Sequence, residues 1–153
     1  RGTVERSTAE KRELIALAVR DFTVLAEVGA KAPGEQFAAR TWPAEARSDL
    51  DAGASLVVTE GRQSGTVGTF DAAGRVRADV VEAVVAAVGV ERVVFEAPQS
   101  AQQAWFIRRF GAEVNLGNVA LSDVLSVETL RLGLRSDTAS VSGREDSAGS
   151  GTA

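Results

Sequence analysis

The chain has 153 residues, 44% of them hydrophobic, with a formal charge of −4 and a pI near 5.0. That is one domain's length with enough apolar material for a core, and an acidic balance without a basic block argues against nucleic acid or an anionic membrane surface as partner. There is no cysteine and no histidine, which excludes disulfides, thiol chemistry and Ser-His-Asp catalysis within the chain and leaves Asp, Glu, Lys, Arg, Asn and backbone groups for any reaction.

Ser7 and Glu10 form a capping box, and Leu14, Ile15, Ala18 and Val19 give the following helix one apolar face. Phe22 to Val28 reads as a strand that ends in Glu27, Gly29 and Lys31. After a loop around Pro33 and Gly34, Thr41 to Ala52 reads as a short helix started at Pro43 and closed by Gly53. Leu56 to Thr59 is a second strand ending on Glu60, followed by a glycine-rich loop from Gly61 to Asp71. The valines of Ala78 to Val88 recur at helical spacing up to Gly89. Val93 to Phe95 is a strand ending on Glu96, broken by Pro98. Ser100 is placed as an N-cap, and Ala101 to Phe110 as a helix stopped at Gly111. Val114 to Val119 gives a further strand whose end carries Asn115 and Asn118, and Ser122 to Leu134 a helical stretch broken near Ser126. The remainder is Ser, Gly, Thr and Asp with little to bury. The reading is a domain over residues 1–138 and a disordered tail over 139–153.

Strands alternate with helices, the signature of βαβ units on a parallel sheet. Polar residues are spread over successive strand ends rather than gathered in one nucleotide loop, which suits a (β/α)8 TIM-type barrel. Such a barrel needs about 250 residues, and four clear strands are present here. With no methionine even at position 1, the chain is expected to be an incomplete barrel, its C-terminal portion, lacking the N-terminal strands. No apolar run is long enough to span a membrane, and a cytoplasmic location is expected.

Three strands close on glutamate: Glu27, Glu60 and Glu96. Carboxylates converging on one mouth suit Mg2+, which takes hard oxygen ligands and keeps several waters; they would equally pair with arginines. Lys31, one of two lysines, lies just past a strand end, where it is suited to neutralise an anion or protonate a carbanion. Lys11 is placed on a solvated helix face. Glu60-Gly61-Arg62-Gln63-Ser64-Gly65 has the materials of an anion cradle: backbone N–H groups, the Ser64 hydroxyl and the planar Arg62 clamp. It is neither a Walker loop nor a GxGxxG turn opening a helix. Asn115 and Asn118 are poor strand residues and suggest a polar task. Arg131, Arg135 and Asp137 cluster near the end of the ordered chain.

Together, LVVTEGRQSGTVGTFD (Leu56–Asp71), VVFEAPQSAQQAWFIRRFG (Val93–Gly111), VNLGNV (Val114–Val119), ETLRLGLRSDT (Glu128–Thr138) and AEVGAK (Ala26–Lys31) resemble the phosphosulfolactate synthase family, from about Gly2 to Thr138. The resemblance implies a TIM-barrel, Mg2+-dependent carbon–sulfur lyase that adds sulfite to phosphoenolpyruvate, giving 2-phospho-3-sulfolactate. In archaea this step opens a route to coenzyme M; bacterial relatives are linked to sulfolactate and plant relatives to heat stress. It further implies Lys31, Glu60 and Arg62 as catalytic residues, and Glu27, Glu60 and Glu96 as metal ligands. Ser64, Gly65, Asn115, Asn118, Arg131 and Arg135 would then bind the anionic substrates.

The chain departs from the family pattern at Gln63, where a carboxylate is usual, at Ala30 of a double lysine, at Ser136 in place of glycine, and at Ser126 in place of proline. Two other readings therefore stand beside the enzyme: a non-catalytic, stress-related relative, and a barrel lyase with another phosphorylated substrate. A homo-oligomer is compatible with any of them.

Overall fold

The computed structural model describes residues 6–29, 38–61 and 68–139. Helix α1 (Thr8–Ala18) starts at the expected capping box: Ser7 Oγ accepts from Glu10 N–H, and the Glu10 carboxylate accepts from Ser7 N–H at 2.8 Å. Of its apolar residues Ile15 is buried, whereas Leu14 and Leu17 face outward. Strand β1 (Leu25–Val28) is shorter than expected, because Phe22 N–H still bonds to Ala18 O at the end of α1 and the Phe22 ring is exposed.

Helix α2 (Ala38–Asp51) begins upstream of Pro43, which lies inside it rather than at its first position. Strand β2 (Leu56–Thr59) and helix α3 (Ala78–Val88) have the expected bounds. After one 3-10 turn at Val90–Arg92 comes strand β3 (Val93–Glu96). Helix α4 (Ser100–Phe110) is capped by Gln99, not Ser100: Gln102 Oε1 accepts from Gln99 N–H at 3.1 Å, an amide version of the capping box. Strand β4 is only Asn115–Gly117. A 3-10 turn at Leu121–Asp123 leads into helix α5 (Val124–Arg131), which runs unbroken through Ser126. The tail from residue 140 lies outside the described residues.

The four strands form one parallel sheet in the order β1-β2-β3-β4. Its register aligns Val28, Thr59, Phe95 and Leu116 in one row, and Glu27, Val58, Val94 and Asn115 in the row before it. Side chains alternate between faces along each strand, so the first row, with Ala26, Val57 and Val93, points to the helices. There Val28, Val57, Val93 and Phe95 pack with Trp42 and Ala46 of α2, Val80, Val81 and Val84 of α3, and Ala104, Phe106 and Ile107 of α4. Val58 and Val94, on the other face, are half-buried and stand outside that core. A parallel sheet with sequential strands and helices packed on one face is a mixed α/β arrangement consistent with a partial α/β barrel.

Candidate active site

The three glutamates lie on the face away from the helical core. Glu27 is the third residue of β1, beside Val58. Thr59 is paired with Phe95, so the next residues, Glu60 and Glu96, are neighbours on the row beyond, at the carboxyl end of the sheet, with Gly117 on the far side of Glu96. Alternation thus brings Glu60 and Glu96 together and sets Glu27 two residues deeper on the adjacent strand.

Among the described residues no group of three acidic side chains is placed to hold a metal ion. Of the expected three-glutamate set, Glu60 and Glu96 share one row and Glu27 lies two residues deeper. Each glutamate has its own surroundings. Glu60 is buried, and its carbonyl accepts from Thr69 N–H at 3.0 Å, closing the far end of the glycine-rich stretch. Glu96 Oε2 accepts from Gly61 N–H at 2.8 Å. Glu27 carries a buried Oε1 that has no hydrogen-bond partner among the described residues, while its backbone carbonyl accepts from Lys11 Nζ at 2.6 Å. A buried carboxylate oxygen without a partner is costly unless a ligand satisfies it.

Lys11 is not solvated. Its ammonium also reaches Glu45 Oε1 at 2.9 Å and Asp49 Oδ2 at 2.6 Å, and Asp49 is fully buried. This ionic centre joins α1, α2 and β1 directly behind Glu27. The available signal was the i, i+4 spacing of Glu45 and Asp49 on a helix beside a scarce lysine.

The remaining candidates are scattered. Lys31, Arg62, Ser64 and Gly65 lie outside the described residues, as does Gln63. Asn118 follows β4 at its carboxyl end, exposed, with a left-handed backbone at φ 53° that asparagine tolerates. Asn115 is the first residue of β4 rather than near its end, and its side-chain amide donates to the carbonyls of Val93 and Glu91, both at 3.3 Å. Arg131 donates to the carbonyls of Ala112 and Val114, just before β4. Both side chains therefore tie down the amino-terminal side of the sheet. Arg135 is exposed and donates to Ser126 Oγ at 2.9 Å. None of these three is brought to the glutamates.

The glycine-rich stretch returns to α3 through a turn at Asp71. Its carboxyl accepts from Arg75 N–H at 3.0 Å and from Arg75 Nε at 2.7 Å. The Arg75 backbone bond is the main cause holding the Asp71 carboxyl below its ordinary range. No helix among the described residues is long and apolar enough to cross a membrane.

A family model described as (2R)-phospho-3-sulfolactate synthase (ComA) matches residues 1–137. The chain is 42% identical over 143 residues to a phosphosulfolactate synthase of Methanothermobacter thermautotrophicus, covering 90% of this chain and 55% of that protein. It is 43% identical over 141 residues to one from Methanocaldococcus jannaschii, covering 90% and 56%. It is 39% identical over 140 residues to one from Bacillus subtilis, again covering 90% and 56%. The chain spans about half the length of the curated relatives it matches. That coverage is a share of length and does not bear out the placement of the chain as the C-terminal portion of a barrel. The stress-related and altered-substrate readings are not favoured, since each of these three relatives is named as the synthase. On this match the chain belongs to the phosphosulfolactate synthase family.

Proposed function

We propose that this chain serves an enzyme that adds sulfite to phosphoenolpyruvate to form 2-phospho-3-sulfolactate, a carbon–sulfur lyase on a (β/α)8 barrel to which these four strands contribute. The observation that carries the reading is the set of carboxylates on one face at the strand ends, where the glycine-rich stretch also closes, in a chain of this family.

In the reaction, the sulfite sulfur lone pair forms a bond to the methylene carbon of phosphoenolpyruvate. The carbon–carbon π pair moves toward the carboxylate as enolate-like charge, and a proton is then delivered to the carbon bearing the phosphate ester. No redox partner is required and the phosphate stays in place. Lys31 delivers that proton. Arg62, Ser64 and the Gly65 N–H hold the phosphate, and Asn118 supplies a further donor at the mouth of β4.

The donor set fits Mg2+: Glu27, with its unpartnered buried oxygen, and Glu60 on the next strand are hard oxygen ligands, and the ion is usually held by one or two carboxylates together with substrate oxygens. Bound there, it would supply positive charge against the developing enolate. The small anions are the partners, in a cytoplasmic, self-associating protein without a nucleic-acid or membrane role. Asn115, Arg131 and Arg135 take no part in the site.

The test is phosphoenolpyruvate consumption by the full-length protein with sulfite and Mg2+. The reading expects turnover that requires sulfite, stops with a chelator and falls at least a hundredfold in Lys31→Ala, the scale of a lost general acid. Turnover without sulfite points instead to another phosphorylated substrate. Intact phosphoenolpyruvate in a well-folded protein overturns the reading.

A further inference from the structure

The carboxylate of Glu96 does a job other than the one its position first suggests. Its Oε2 is 2.8 Å from Gly61 N, so the last residue of β3 receives the first N–H of the glycine-rich stretch that leaves β2. The backbones meet as closely as their side chains: a Cβ at Gly61 would lie 2.7 Å from Glu96 O, 2.9 Å from Glu96 Cβ and 2.9 Å from the Phe70 ring. Only glycine lets the chain start its loop against β3.

The other end of the stretch is tied as well. Thr69 N–H donates to Glu60 O at 3.0 Å, Arg77 N–H to Thr69 O at 2.8 Å, and the Arg77 guanidinium to Gly68 O at 3.4 Å. Residues 61 and 69 are therefore both fixed at the ends of β2 and β3.

We propose that Glu96 is a positioning residue for this loop, acting through Gly61 N–H, and not a metal ligand. Its bond holds Gly61, the first residue of the glycine-rich stretch, at the carboxyl end of the sheet, directly after Glu60. The inference rests on the proposed phosphate-cradling role of that stretch for its effect on the substrate, but not for the clamp itself.

The experiment compares Glu96→Gln with Glu96→Ala in the full chain, because a glutamine oxygen still accepts from Gly61 N–H but is a poor metal ligand. Amide exchange of the peptide covering residues 61–69 reads the clamp directly. The half-saturating Mg2+ concentration and the KM for phosphoenolpyruvate read its consequence. Expected in Glu96→Ala is exchange faster by about tenfold or more, the loss of one hydrogen bond to a charged group, and a raised KM at an unchanged Mg2+ requirement. Expected in Glu96→Gln is near wild-type behaviour on all three. Unchanged exchange in Glu96→Ala would overturn the clamp. A Mg2+ requirement raised in both variants would return Glu96 to the metal. If phosphoenolpyruvate is not turned over at all, the exchange comparison still decides the clamp, so the two readings fail separately.

Discussion

Lys11 Nζ and Asp49 Oδ2 are 2.6 Å apart, between the first turns of α1 and a fully buried position of α2, and the same ammonium holds the Glu27 carbonyl of β1. One cation thus fixes two helices and the strand that carries a candidate ligand. Removing one partner of a buried pair leaves the other charge uncompensated, at a cost of about 3–5 kcal/mol. Lys11 keeps some exposure, with 14% of its side chain accessible, so Lys11→Met is expected at the lower end of that range, about 3 kcal/mol. Urea unfolding measures it. Adding Asp49→Asn to Lys11→Met should recover part of the loss, because the charge left behind is removed; no recovery would mean that Lys11 acts through packing and the Glu27 carbonyl.

Phe95 sits at the centre of the core, stacked on Phe106 at 4.5 Å between centroids and on Phe110 at 5.7 Å. It is the fully buried helix-side neighbour of Glu96. Phe95→Ala should cost about 3–5 kcal/mol, transfer and cavity together. Phe95→Leu should cost about 1.5 kcal/mol or less. Thermal or urea unfolding of the two variants checks the order; equal losses would show that the aromatic stack, not the volume, is what matters.

Glu10 titrates low because Ser7 N–H, first, and the Ser7 hydroxyl, second, bond to its carboxylate. A carboxyl depressed in the folded state contributes stability in full above its ordinary value near 4.5, and loses it as pH falls through the lowered folded value. The first turn of α1 should therefore loosen in acid. Amide exchange of residues 8–11 measures it, and Glu10→Gln should flatten this part of the pH dependence. A first turn equally protected at pH 3 and pH 7 in the wild type would refute the assignment.

Both edges of the sheet, β1 and β4, are unpaired by any other described strand. Apolar side chains are exposed beside each: Leu17, Phe22 and Leu25 near β1, and Leu121, Leu125 and Leu134 beyond β4. Open edges and exposed apolar groups promote association. The chain produced by itself should show sedimentation that depends on concentration and little or no sulfite-adding activity. A monomer with one cooperative unfolding transition would contradict this.

Much of the local structure was legible in the residues. The valine spacing of Ala78–Val88, the Ser7–Glu10 box and the apolar run Leu56–Thr59 each specify an element through contacts a few residues long, so periodicity and capping suffice to find them. The same short range explains the misses. Gln99 replaces Ser100 as a cap because Gln102 reaches back to it, and Phe22 leaves the strand because its N–H is still bound by α1.

By itself the sequence determined the alternation of elements, the glutamates at strand ends and the family, since these are properties of order and spacing. Tertiary structure alone decided which distant groups meet. Register set Glu60 beside Glu96 and put Glu27 two residues deeper. Packing drew Lys11 onto Asp49 across 38 positions and sent the amides and guanidinium groups of Asn115 and Arg131 to backbone carbonyls instead of the site. Local spacing carries no information about such pairs, because their energy exists only once the sheet and its helices have brought the partners within a few ångströms.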